Sequence, residues 1–218
     1  TYNGEELIAI TEATGGFFTK ADLASNKGII TPKKLLKKAE PREFLHFIDS
    51  TRTSYDKEQL SAFYDGHYEA CFDRSDRPSL KETYYLPHDM KMIDRVTQID
   101  YNGGMYGRGI ICGEKQITPD MWPFKAHFKN DPVFPAIIMT DGVTQLGVFL
   151  FAHAGLLSKF DSTNVTMING NCVKSKFRGQ ARHGYSTLRY EIHVKDVVQT
   201  EDSISVYFDA NIFNDGLQ

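Results

Sequence analysis

The chain has 218 residues, 41% hydrophobic and 12% aromatic, enough for one full domain plus additional material or for two small ones. Its formal net charge is −3 and no long Lys or Arg block stands out, which argues against a nucleic-acid partner. The three cysteines, Cys71, Cys112 and Cys172, are scattered without a CxxC pair, which argues against a disulfide framework or a metal site and for a reducing, cytoplasmic setting.

The chain opens TYNGEELIAI, without an initiator Met or the basic and apolar regions of a signal peptide. This start and the NDGLQ end are expected of a piece of a longer protein. Asn3-Gly4 and the apolar residues to Phe18 read as a turn and a strand. Thr31 and Pro32 predict a helix start, with Lys33, Lys34, Lys37 and Lys38 as its solvated face. Residues 42–90 read as an ordered linker: Phe44, Phe47 and Ile48 suggest a buried face, and 57–68 a helix. Pro78 and Pro87 punctuate the remainder.

From Met92 the pattern sharpens. MIDRVTQIDY predicts a strand, Asn102-Gly103-Gly104 a hairpin turn, and 105–117 the returning strand. Pro135 opens a long helix, to about Leu157. Its apolar run from Ala136 has the length of a membrane span, but it holds Asp141, Gln145 and His153. A charge at a bilayer centre costs about 2.5–3.5 kcal/mol, so a helix buried in a soluble domain is expected. Three strands follow, at about 165–177, 186–198 and 203–213, the alternation being clearest at Leu188, Tyr190, Ile192 and Val194. Strand, hairpin, long helix and strand meander give an α+β fold, one antiparallel sheet wrapped around one helix.

His127 and Asp141 are the candidates for chemistry. Fourteen residues separate them, so they sit on two elements, or two subunits, that converge. Gln145 lies one turn beyond Asp141 on the same helix face, placed to orient the carboxyl or a water. Asp131 before Pro132 reads as a turn former, and His46, His67, His88, His153, His183 and His193 as surface or helix-end residues. Arg95 and Arg178 read as surface ion-pair residues.

Four segments, MIDRVTQI (92–99), HFKNDPVFP (127–135), the Asp141/Gln145 pair, and VKSKFRGQA (173–181) with YEIHVKDVV (190–198), resemble the 3-hydroxydecanoyl-ACP dehydratase family, which has the hot-dog fold. Residues 2–18 resemble the last turn and strand of the same fold. The resemblance implies tandem hot-dog domains: residues 1–30 end a preceding unit, 31–90 form the linker, and 91–218 form a dehydratase-like hot-dog lacking its final strand. Such an arrangement resembles the dehydratase region of a polyunsaturated fatty acid or polyketide synthase.

It further implies dehydration of β-hydroxyacyl thioesters carried on acyl carrier protein, possible double-bond isomerisation, and no cofactor beyond the carrier's phosphopantetheine. His127 is then the base and Asp141 the partner at the β-hydroxyl. The Ala136 N–H and Gln145 serve the oxyanion or the substrate, and the site is completed by a neighbouring hot-dog domain or a homodimer. The family has Gly at the position of Ala136, which keeps the N–H but adds a methyl group. The alternatives are a catalytically silent hot-dog that binds acyl chains or scaffolds a synthase, and a hot-dog thioesterase. No nucleic acid and no membrane insertion are expected.

Overall fold

A computed structural model describes residues 19, 21, 42–73, 88–160, 164–168, 173–177 and 179–214. The expected N-terminal strand, the Lys-rich helix, Cys172 and Arg178 lie outside the described residues. Helices with described bounds begin with α1 (Lys57–Tyr64) and α2 (Tyr68–Phe72). The Asp56 carboxylate accepts the Gln59 N–H, and the Gln59 side chain accepts the Asp56 N–H, so a reciprocal capping box starts α1. The expected 57–68 helix is therefore broken at Asp65–His67. Segment 42–73 feeds the main core with Phe44, Tyr55, Leu60, Phe63, Tyr64 and Phe72, while Phe47 is exposed.

Among the described residues the strands are β1 (Arg95–Asp100), β2 (Ile110–Ile117), β3 (Ser186–Gln199) and β4 (Ile204–Asn214). They form one antiparallel sheet in sequence order. β1 starts three residues later than the sequence suggests because the Met92 N–H is bonded to the Gln145 side chain and not to the sheet. The outer edge of β1 is met by Tyr55, which exchanges both backbone bonds with Val96 at 2.9 Å. The turn into β2 is longer than a tight hairpin. The carbonyls of Tyr101 and Gly107 accept from the N–H groups of Phe44 and Arg42, so strand pairing resumes only at Asp100↔Ile110.

The expected strand at 165–177 is absent from the described residues of that range. Met167, Val173 and Phe177 are exposed, and alternation without a paired neighbour and a buried face does not hold a strand.

Two further helices lie between β2 and β3: the single turn α3 (Trp122–Ala126) and the long α4 (Ala136–His153). Pro135 is the N-cap of α4. Beyond its C-cap, Gly155 takes φ 75° and a short turn follows over Leu156–Ser158. A Cβ on Gly155 would stand 2.7 Å from Ile48, so a side chain there meets both strain and a clash.

Helix α4 packs on β2, β3 and β4, and Phe149 meets the rings of Tyr55, Phe63 and Phe72 at 4.9–5.3 Å. Among the described residues it is the one helix long and apolar enough to cross a membrane, and its neighbours here are core residues.

His153 ends α4, as a helix-end residue, yet it is buried, and His193, expected at the surface or a helix end, lies in the core within β3. His153 is 1% exposed, held between the Tyr101 hydroxyl at 2.7 Å and the Arg52 carbonyl at 3.0 Å. His193 is 6% exposed, and its Nδ1 accepts the Met105 N–H. Both sit where the glycine-rich 101–109 loop and segment 42–55 close over the sheet. Neither contact is local in sequence.

Candidate active site

His127 caps the C-terminus of α3 with an extended backbone. Three bonds hold it. Its N–H donates to the Pro123 carbonyl at 3.0 Å, its carbonyl accepts the Val133 N–H at 2.8 Å, and its Nδ1 lies 2.9 Å from the Val133 carbonyl. A carbonyl only accepts, so Nδ1 carries the hydrogen and Nε2 holds the lone pair. The loop between is closed by reciprocal backbone bonds of Phe128 and Asp131, and Asp131 pairs with Arg182 at 3.4 Å. This agrees with Asp131 as a turn former. Phe128 stacks on the His127 ring at 3.8 Å between centroids yet is 57% exposed.

Asp141 and Gln145 lie in the first half of α4. Gln145 is 0% exposed and uses all of its hydrogen-bonding capacity. Its Oε1 accepts from the Met92 N–H at 2.8 Å and from the Tyr64 hydroxyl at 2.9 Å. Its Nε2 donates to the Met90 carbonyl at 2.8 Å and to Asp141 Oδ2 at 2.6 Å. The backbone groups of Met90 and Met92 fix which way the amide faces. Gln145 thus acts as a clamp: each of its hydrogen-bonding positions is filled by a described residue, and one of them orients the Asp141 carboxyl. Asp141 Oδ1 makes no bond to a described residue.

No hydrogen bond or ion pair joins His127 to Asp141 among the described residues. Ala136 is partly buried at the start of α4, where no side chain caps the first N–H groups. No three His, Cys, Asp or Glu side chains among the described residues converge as metal ligands. Arg95 is paired with Glu114 across β1 and β2.

Nothing in the sequence pattern pointed to Tyr64 or the Met90–Met92 backbone as the holders of Gln145. A signal did exist for Tyr190. Gly142 follows Asp141, and a Cβ there would stand 2.7 Å from the Tyr190 ring.

A FabA-like domain model matches residues 86–218, more than half of the chain. The chain belongs to the FabA-like domain family. The sheet packed on one long helix is accordingly a hot-dog fold, and His127, Asp141 and Gln145 all fall within the FabA-like region. A polyunsaturated fatty acid synthase subunit of Thraustochytrium sp. is 28% identical over 203 residues, covering 89% of this chain and 13% of that protein. The chain thus spans a small part of the length of this curated relative.

Proposed function

We propose that the FabA-like domain dehydrates β-hydroxyacyl thioesters delivered on the phosphopantetheine of an acyl carrier protein, within a fatty acid or polyketide synthase. The observation that carries this reading is the pair of oriented groups. Val133 leaves the lone pair of His127 on Nε2, and Gln145 leaves Oδ1 of Asp141 for a ligand. Nε2 removes the α-proton. The electrons move to the α–β bond as the β C–O bond breaks, and Oδ1 delivers its proton so that water departs. Nε2 of His127 then returns its proton to Asp141 through solvent.

Negative charge grows on the thioester oxygen during proton removal. The Ala136 N–H at the start of α4 is its proposed donor, aided by the helix dipole. His127 and Asp141 share no hydrogen bond or ion pair among the described residues, and the family resemblance supports a site that takes one of them from a second hot-dog unit, a tandem domain or another copy. Return of the proton by His127 at a different carbon would give isomerisation.

The Ala136 methyl favours one other reading, a catalytically silent hot-dog that binds acyl chains, since it crowds the backbone where the carbonyl would approach. Incubation of the protein, with complete hot-dog domains present, with a 3-hydroxyacyl-pantetheine thioester separates the readings. Enoyl product is expected, and His127→Ala or Asp141→Ala should each lower its rate by about 10²–10⁴-fold. Absence of product from the parent supports the silent reading, free thiol without enoyl product a thioesterase, and equal rates in all three proteins refute the site.

A further inference from the structure

Tyr190 lies on β3, on the face that sends Leu188, Ile192 and Val194 into the core. A phenylalanine would fill the same volume, so the hydroxyl needs its own explanation. The residue is 0% exposed, and its Oη has no hydrogen-bond partner among the described residues. An unpaired hydroxyl in such a place costs about 1–3 kcal/mol.

The phenol head is also placed with some precision. A Cβ on Gly142 would stand 2.7 Å from Cε1 and Cζ and 2.8 Å from Oη of Tyr190. Helix α4 is thus bare at the residue after Asp141, and the hydroxyl of β3 occupies that space. Burial pushes the Tyr190 pKa far above its ordinary 10.0, so the group stays an O–H donor. Asp94 is already engaged by Lys115 and the Gln116 N–H, and Oδ2 of Asp141 by Gln145. Tyr190 Oη, a donor without a partner among the described residues, thus lies against Gly142, next in the chain to Asp141, whose Oδ1 is bonded to no described residue.

We propose that Tyr190 is a further catalytic residue of the Asp141 half-site, its hydroxyl donating a hydrogen bond to the β-oxygen of a 3-hydroxyacyl thioester while Asp141 protonates that oxygen. This rests on the dehydratase reading above. The β-oxygen has two lone pairs. As the C–O bond breaks, its electrons pass to oxygen, one lone pair takes the Asp141 proton, and the other keeps the bond from Tyr190, which retains its own proton.

Tyr190→Phe removes one oxygen that no described residue bonds, so its melting temperature should equal or exceed that of the parent. Against that unchanged fold, kcat for the 3-hydroxyacyl-pantetheine thioester should fall by about 10- to 100-fold. A second readout does not require turnover. Binding is measured for the pantetheine amide of a 3-hydroxyacyl chain and of the matching saturated chain. The parent should prefer the hydroxylated ligand by roughly fivefold, and Tyr190→Phe should lose that preference while binding the saturated ligand as before. An unchanged kcat, an unchanged preference, or a parent that binds neither ligand overturns the assignment. A parent that shows the hydroxyl preference but forms no enoyl product overturns the dehydratase reading and leaves Tyr190 as a ligand-binding residue.

Discussion

The two halves of the candidate site are built in opposite ways. His127 is held by its own neighbourhood: Pro123, Val133 and the Phe128–Asp131 turn all lie within six residues, and Phe128 beside it is exposed. Asp141 is held by the whole domain. Its clamp, Gln145, is bonded to Tyr64, Met90 and Met92, which lie 81, 55 and 53 residues away. A local loop suffices to fix a tautomer, because one carbonyl at Nδ1 decides it. Fixing a carboxyl on an apolar helix takes a buried amide, and that amide must be satisfied from elsewhere.

Substitutions test this contrast. Gln145→Leu keeps the volume but strips the partners from the Met90 carbonyl and the Met92 N–H. It should cost about 2–4 kcal/mol in denaturant unfolding and lower the dehydration rate. Loss of activity without loss of stability would show that the clamp is not part of the core.

Gly142→Ala should come next. It places a methyl group against the Tyr190 ring and should cost about 1–3 kcal/mol, with the same denaturation measurement as the check. An unchanged unfolding midpoint would mean that helix and phenol separate easily, and would weaken the proposed role of Tyr190.

Asp131→Ala, on the exposed turn, should cost less than about 1 kcal/mol, since it removes one solvent-exposed ion pair to Arg182 and leaves the backbone bonds of the turn. A loss as large as that of Gln145→Leu would mean that the His127 turn is not locally held.

The sequence carried the long helix, the His127 turn and the 186–198 and 203–213 strands. Each of these depends on neighbours in the chain: Pro135 and Gly155 at the helix ends, the Asp-Pro in the turn, and period-two alternation. It misjudged 165–177, whose alternation finds no partner among the described residues. It also read His193 as a surface or helix-end residue, although it lies within β3 and a loop distant in sequence covers it. The Asp141/Gln145 spacing was legible as a shared helix face. Which of the two faces a ligand was not, because that follows from how many bonds the fold makes to each side chain.

By itself the sequence determined an α+β domain with an imidazole in a turn and a carboxyl on a buried helix. These are properties of residue type and period. Tertiary structure alone decided that Oδ2 of Asp141 is the bonded oxygen, and that a phenol from β3 packs against Gly142, the next residue in the chain. Each of those is a matter of which atom meets which across the fold, and hydrogen bonds are fixed by distance and direction rather than by separation along the chain.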